Sequence, residues 1–67
     1  MSQDSQIQFL QYVANTNGGA TKENFIEDWE PIGELVWDEL WGAELIEFNE
    51  NRRVILTKQG QARVRGN

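Results

Sequence analysis

The sequence predicts a small α+β domain in which three helices are followed by a two-stranded β-hairpin and a short C-terminal helix. Three observations predict this order. Apolar residues recur at a helical period as far as about residue 41. The period then changes to two, which is typical of strands. Gly and Pro residues separate the periodic segments. The chain of 67 residues is long enough for one domain, which we place at residues 5–64, with disordered ends at residues 1–4 and 65–67.

The first helix is predicted at residues 5–16. Residues 5–8 have the form of a capping box that starts at Ser5, and the apolar residues that follow lie on one helical face. Residues 15–19 contain only Asn, Thr and Gly. Asn and Gly accept the left-handed conformation that is common at helix ends, so this stretch is expected to end the helix.

The second and third helices are predicted on either side of a proline. Thr21 is expected to cap a short second helix that ends near Asp28, because Pro31 disfavours a helical conformation at Glu30. Pro31 is then expected to open the third helix, which ends around Gly42. The buried stripe of this helix is predicted to comprise Ile32, Val36, Trp37, Leu40 and Trp41.

The hairpin is predicted from strands at residues 45–48 and 53–56, with both Asn residues of the intervening turn able to adopt positive φ. Thr57 is expected to cap the last helix, which runs through Val64. The apolar face of the hairpin is predicted to comprise Ile46, Phe48, Val54 and Leu56.

Two segments carry a family resemblance. Residues 37–48 resemble the passage from the third helix to the first wing strand of winged helix-turn-helix domains, where two apolar residues three apart precede a small residue and an apolar pair. Leu56-Thr57-Lys58-Gln59-Gly60 resembles the Leu-Thr-x-x-Gly that closes the wing in bacterial regulators such as the MarR and PadR families. With Thr21 opening the second helix, the resemblance covers residues 5–64. It implies a winged-helix fold and a small bacterial or phage-type regulator, although one architecture hosts many activities.

The chain departs from the family pattern in two places. Many winged helices have Gly where this chain has Glu44, so we expect a different backbone conformation there. The family's third helix enters the major groove with basic, amide or hydroxyl side chains, whereas here it presents Glu34, Asp38 and Glu39. Each carboxylate held next to a phosphate costs about 1 kcal/mol even in water, which disfavours this docking.

Charge is divided along the chain, whose formal net charge is −5. No base lies among the acids of the central stretch, which are Glu23, Glu27, Asp28, Glu30, Glu34, Asp38, Glu39, Glu44, Glu47 and Glu50. No acid lies among the bases that follow, which are Arg52, Arg53, Lys58, Arg63 and Arg65. Because polyphosphate repels a net acidic protein at long range, DNA could be bound only through this local basic patch.

Two functions therefore remain open. In the first, the chain binds DNA and regulates transcription, with Arg52 and Arg53 on the wing holding phosphates. The C-terminal cations expected to assist them are Lys58, Arg63 and Arg65. In the second, the chain is a protein-interaction module, either an adaptor, an inhibitor or a DNA mimic.

The protein-interaction hypothesis uses the acidic face of the third helix, formed by Glu34, Asp38 and Glu39. Trp29 lies at the turn into this helix and is the tryptophan expected to be most exposed. Exposed tryptophan is enriched at protein interfaces, so Trp29 could anchor a partner. The other two tryptophans of the chain are expected in the core.

Composition argues against several other functions. The chain has no His and no Cys, the usual metal ligands, neutral-pH base and strongest nucleophile, so we expect neither catalysis nor a bound metal or cofactor. The lack of Cys and of a long apolar run indicates a cytoplasmic protein without a membrane partner. Because almost nothing lies outside the core fold, a monomer or weak homodimer is expected.

Overall fold

The computed structural model describes residues 3–66 and shows an α+β fold with the predicted order of elements. These residues form four helices and one antiparallel two-stranded sheet, and the strands follow the third helix. The elements are α1 (Gln3–Thr16), α2 (Lys22–Asp28), α3 (Gly33–Gly42), β1 (Ile46–Phe48), β2 (Val54–Leu56) and α4 (Lys58–Val64).

Helix α1 begins two residues earlier than predicted. Ser5 therefore lies inside the helix, and the prediction that it caps the N-terminus is wrong. The predicted C-terminal end is confirmed, because Asn17 and Gly18 adopt positive φ values of 51° and 76° directly after Thr16. The prediction of disordered ends falls partly on residues 1, 2 and 67, which lie outside the described residues. Asp4 belongs to the first turn of α1.

Helix α2 begins with the cap that was predicted from Thr21. The Thr21 hydroxyl accepts a hydrogen bond of 3.0 Å from the backbone N–H of Asn24, and the Asn24 side-chain oxygen accepts one of 3.1 Å from the backbone N–H of Thr21. These two reciprocal bonds form a capping box and satisfy donors that the helix itself cannot pair.

The turn between α2 and α3 differs from the prediction. The Glu30–Pro31 peptide bond is cis, and the backbone N–H of Ile32 bonds to the carbonyl of Trp29 at 3.0 Å. Pro31 thus belongs to the turn, and α3 begins at Gly33. A methyl group on Gly33 would overlap the carbonyl oxygen of Ile26, so a glycine at this position allows α2 and α3 to pack closely.

Helix α3 ends with a left-handed residue that is not glycine. Glu44 has a φ of 60°, so the expectation of a different backbone conformation at this position is wrong. The N–H of Glu44 bonds to the carbonyl of Trp41 at 3.0 Å, and the N–H of Leu45 bonds to that of Leu40 at 3.1 Å. This is a Schellman motif, and Leu40 and Leu45, at the two positions where an apolar pair commonly accompanies it, are both buried in the core.

The strands pair as predicted, with Ile46 opposite Leu56 and Phe48 opposite Val54 on one face of the hairpin. The turn is different, because Arg52 takes the positive φ of 60° and neither asparagine does. The segment before α2 forms a hydrogen bond to the outer edge of β2. The N–H of Val54 donates to the carbonyl of Ala20 at 2.8 Å.

Helix α4 is capped by Thr57, as predicted. Its hydroxyl accepts a hydrogen bond of 3.0 Å from the N–H of Gly60 and donates one of 2.6 Å to the carbonyl of Glu44. A methyl group on Gly60 would overlap the carbonyl oxygen of Leu45. Two residues of the Leu-Thr-x-x-Gly segment therefore have structural roles here: the threonine caps α4, and the glycine lets α4 pass close to the backbone of Leu45, just before β1.

The core lies between α1, α2, α3 and the hairpin. It contains no buried polar or charged residue within the described part of the chain. Its buried members are Phe9, Leu10, Val13, Phe25, Val36, Trp37, Leu40, Leu45, Ile46 and Val54. Two predicted members of the α3 stripe are not buried, since Ile32 precedes the helix and is 46% exposed, and Trp41 at its C-terminal end is 45% exposed.

Candidate functional site

A groove between the start of α2 and the hairpin collects three cations. We call this the basic groove. It is lined by Thr21, Lys22, Glu23, Phe48, Arg52 and Arg53. Glu23 is the only acid of this lining. Two of the cations were predicted site residues, and Lys22 was missed because it precedes the acidic stretch in sequence and reaches the groove only through the tertiary fold.

The hairpin turn holds the two arginines through backbone contacts. The Asn49 side-chain oxygen accepts hydrogen bonds from the backbone N–H groups of Asn51, at 2.9 Å, and Arg53, at 3.0 Å. The N–H of Arg52 bonds to the Asn49 carbonyl at 3.0 Å. One asparagine thus organises the whole turn, as is typical of an Asx turn, and both arginine backbones are fixed.

The side chains of Arg52 and Arg53 are available to a ligand. Neither forms an ion pair with any other residue between positions 3 and 66. Arg52 is exposed and Arg53 is half-buried. Lys22 is exposed, and its ammonium group lies 5.5 Å from the ring centroid of Trp37. None of the three cations has an ion-pair partner among residues 3–66, so this groove is suited to an anionic partner.

An aromatic cluster adjoins the basic groove through Phe48, which belongs to both. Trp37 and Trp41 stack with centroids 5.8 Å apart and planes 16° apart. The ring centroid of Phe48 lies 5.6 Å from that of Trp37 and 5.4 Å from that of Trp41. Trp37 is buried, whereas Trp41 and Phe48 are 45% and 40% exposed. The cluster therefore has a fixed inner ring and two outer rings that face solvent.

The acidic face of α3 lies along a second groove. Glu34, Asp38 and Glu39 are exposed, as predicted. Between them stands Leu35, which is 72% exposed and was not singled out from the sequence. The groove separates α1 from α3 and is lined by Ser5, Phe9, Ile32, Leu35, Val36, Asp38 and Glu39. We call it the α1/α3 groove.

The C-terminal cations do not join the basic groove. The Arg63 guanidinium donates a hydrogen bond to the side-chain oxygen of Gln6, which fixes it against α1. Arg65 lines a shallow depression with Ala14 of α1. Lys58 is exposed at the start of α4. The five predicted cations thus lie in more than one place, and only the two hairpin arginines share a groove.

Trp29 is not the most exposed tryptophan. Its ring contacts Phe9 and Tyr12 edge to face, with centroids 4.7 Å and 5.5 Å apart. Its indole N–H is buried and has no hydrogen-bond partner within residues 3–66. The tryptophan with the most accessible ring is Trp41, because it occupies the last turn of α3, where the core no longer covers its stripe.

The residues missed from the sequence share one signal. Trp41 is the last apolar residue of the stripe on α3, and Phe48 is the last apolar residue of β1. Both side chains lie where the core no longer covers their element. Leu35 and Ile32 flank the central stripe position Val36, and a helix buries only one face. An apolar residue at a stripe's edge is thus the sequence feature that could have marked both surfaces.

Further findings bear on the kind of partner. Within the described residues, no group of three or more acids is placed so that it could hold a metal ion, and no helix is long and apolar enough to cross a membrane. Comparison of the chain with family models, curated proteins and solved structures gives no match. The surface features that bear on function are the two grooves and the aromatic cluster.

Proposed function

We propose that this chain is a small winged-helix protein that binds DNA and regulates transcription, with the hairpin as its wing. The observation that supports the proposal most directly is the meeting of Lys22, Arg52 and Arg53 in one groove, where none of the three forms an ion pair with another described residue. Phosphate oxygens are the natural partners of such a set, because arginine and lysine supply most protein contacts to the nucleic-acid backbone.

The charge distribution supports docking through the hairpin edge rather than through α3. The exposed side chains of α3 include Glu34 and Asp38, which would face phosphates if this helix entered the major groove. Each such pair costs about 1 kcal/mol in water and more where water is excluded. Hence DNA would lie along the basic groove, and α3 would stay outside the duplex. Lys58, Arg63 and Arg65 remain predicted additional contacts.

A salt titration tests this proposal. A fluorescently labelled duplex is titrated with the protein at several salt concentrations, and the binding constant is plotted against salt on logarithmic axes. Three phosphate contacts predict a slope of about −2.7, so affinity should fall about forty-fold between roughly 50 and 200 mM salt. Arg52→Glu combined with Arg53→Glu should abolish binding.

The matched control is Lys58→Glu, a charge reversal of the same sign on α4. Because Lys58 does not line the basic groove, its reversal should weaken binding less than either arginine reversal. Circular dichroism confirms that each variant is folded. The absence of any binding to duplex or single-stranded DNA at low salt would refute the proposal.

A second candidate function is protein binding at the α1/α3 groove, and the exposure of Leu35 is what favours it. A leucine that is 72% exposed beside Ile32 at 46% forms an apolar strip on a small domain. The strip is bordered by exposed carboxylates at Glu34 and Asp38. This combination fits a basic amphipathic helix from a partner, whose apolar residues would enter the groove while its lysines or arginines pair with the acids.

Selection from a displayed library of helical peptides tests this candidate. Enriched peptides should be basic and amphipathic, and Leu35→Asp or the pair Glu34→Lys and Asp38→Lys should abolish their binding. Arg52→Glu with Arg53→Glu is the control and should leave it unchanged. Three results would count against the candidate: no enriched peptide, equal binding to the Leu35→Asp variant, or a homodimer that occupies the groove.

A further inference from the structure

The aromatic cluster and the basic groove form one continuous surface. Phe48 and Lys22 connect the two parts, because both line the groove and both lie against Trp37. We propose that this surface binds unpaired nucleotides, with bases stacking on Trp41 and Phe48 and phosphates contacting Lys22, Arg52 and Arg53. The inference rests on the proposed nucleic-acid binding and narrows its substrate to single strands or single-stranded stretches of DNA.

The cluster is built to hold its outer rings in place. Trp37 is only 3% exposed and stacks nearly parallel to Trp41, so it supports the Trp41 ring from behind. Trp41 in turn lies within 5.4 Å of Phe48 across the space between α3 and the hairpin. Large aromatic faces that are already ordered lose little conformational entropy when a flat ligand stacks on them. The two outer rings therefore form a prepared stacking surface.

Stacking requires a base whose face is free. In a duplex the base faces are covered by neighbouring base pairs, so an aromatic side chain on a protein surface can stack only on unpaired bases or open a base step. Every base has such a face, and stacking therefore gives affinity without strong sequence preference. Exposed Trp41 and Phe48 would add nothing to contacts made only with duplex phosphates.

The acids around this surface also favour a single strand. Asp38 lies one helical turn before Trp41 on α3, and Glu23 lines the basic groove. A duplex is wide and rigid, so a second strand would be brought towards these carboxylates. A single strand carries a lower charge density and bends, so it can follow the three cations of the groove while its bases turn towards the rings.

Two parallel titrations, one with a single strand and one with a duplex, test the inference. Labelled oligothymidylate of about 12 nucleotides and a duplex of the same length are each titrated with the intact protein at one low salt concentration. The single strand should bind about ten-fold more tightly or better, since one stacked base contributes roughly five- to 150-fold in affinity. Binding should also quench tryptophan fluorescence, and the Trp41→Phe variant should lose part of this quenching while it keeps most of the affinity.

Variants separate stacking from charge. Trp41→Ala should weaken oligothymidylate binding about five-fold or more and leave duplex binding unchanged. Phe48→Ala should weaken oligothymidylate binding by a similar factor and duplex binding by less, because Phe48 also lines the basic groove. Leu35→Ala, at an exposed apolar residue of α3 outside this surface, should change neither. Thermal melts confirm that the variants are folded. If Trp41→Ala does not fold, Trp41→Phe provides the test, because it should lose part of the fluorescence quenching.

The outcomes distinguish this inference from the proposed function. If duplex binds as tightly as oligothymidylate, or if Trp41→Ala and Phe48→Ala leave single-strand affinity unchanged, the stacking surface is refuted while DNA binding through the basic groove stands. If Trp41→Ala is unfolded, quenching in Trp41→Phe that equals the quenching in the wild type refutes the stacking surface equally. If neither nucleic acid binds, both proposals fall.

Discussion

The backbone N–H of Val54 donates a hydrogen bond of 2.8 Å to the carbonyl oxygen of Ala20. Val54 pairs with Phe48 of β1 on one side of β2. The bond to Ala20 therefore joins the segment before α2 to the opposite, outer edge of β2. In the sequence, Lys22 follows Ala20 closely and Arg53 directly precedes Val54. The bond therefore brings residues from the first and second halves of the chain into one groove and explains why Lys22 completes the basic groove.

Lys22→Glu is expected to weaken nucleic-acid binding strongly. The substitution replaces one of three cations in the basic groove with an acid, so the logarithmic salt slope should become shallower by about 1. The helix should remain stable, because an acidic residue is favourable in the first turn of a helix. Fluorescence anisotropy at several salt concentrations gives the slope. A slope equal to that of the wild type would mean that Lys22 does not contact phosphate.

Local sequence rules predicted most of the fold. The Thr21 and Thr57 caps and the Asn17–Gly18 helix end depend on neighbouring residues alone, and these predictions were confirmed. The turn at Pro31 and the start of α3 were wrong, because the position of Gly33 is set by its close approach to Ile26 on another helix. Sequence patterns carry no information about such contacts between elements.

The candidate site was predicted less completely. Arg52 and Arg53 could be found, because a charged residue at a hairpin turn lies near the surface wherever the hairpin packs, and here Arg52 is exposed and Arg53 is half-buried. Lys22 could not, because its place depends on the pairing of Ala20 with β2. The prediction for the tryptophans failed for a related reason. Helical period places Trp37 and Trp41 on one stripe, but how far the core extends along that stripe is decided by the elements packed over it.

Gly60→Ala is expected to destabilise the domain by about 1–3 kcal/mol, because the added methyl group would overlap the carbonyl oxygen of Leu45 and push α4 away from β1. Urea unfolding followed by circular dichroism measures the change. Gly42→Ala is the matched control. Apart from its chain neighbours and the backbone of α3 itself, no described atom lies within 4 Å of a methyl group at that position, so the same substitution should stabilise the domain by up to about 1 kcal/mol. Equal effects at the two sites would contradict the close contact at Gly60.

Glu44→Gly is expected to stabilise the domain by about 0.5–1 kcal/mol. Glu44 has a φ of 60°, and a left-handed conformation costs a residue with a Cβ atom about 1–2 kcal/mol, part of which is offset by the greater freedom of glycine in the unfolded chain. Glu44→Ala retains the Cβ atom and should leave the free energy of unfolding almost unchanged. If alanine stabilises as much as glycine, the gain comes from removing the carboxylate and not from the backbone.

Tyr12 is expected to titrate at unusually high pH. Burial, together with the hydrogen bond that the phenol donates to the Asp28 carboxylate and the negative charge of that carboxylate, raises the pKa of the phenol to about 12. Tyr12 is the only tyrosine of the chain, so ultraviolet absorbance of tyrosinate reports this group alone. Asp28→Asn should lower the pKa, but not to the ordinary value of 10.0, because burial against Phe25 and Trp29 remains.

The same shift links Tyr12 to stability. The folded-state pKa lies above the unfolded value, so the contribution of Tyr12 to stability is fully present below pH 10 and is lost as the pH rises through about 12. Urea unfolding across this range should show a decline that is smaller in Asp28→Asn and absent in Tyr12→Phe, which has no phenol to ionise. Both comparisons use the difference from wild type at each pH, because arginine and lysine also affect stability under alkaline conditions. An equal decline in wild type and Tyr12→Phe would show that the phenol is not held protonated by the fold.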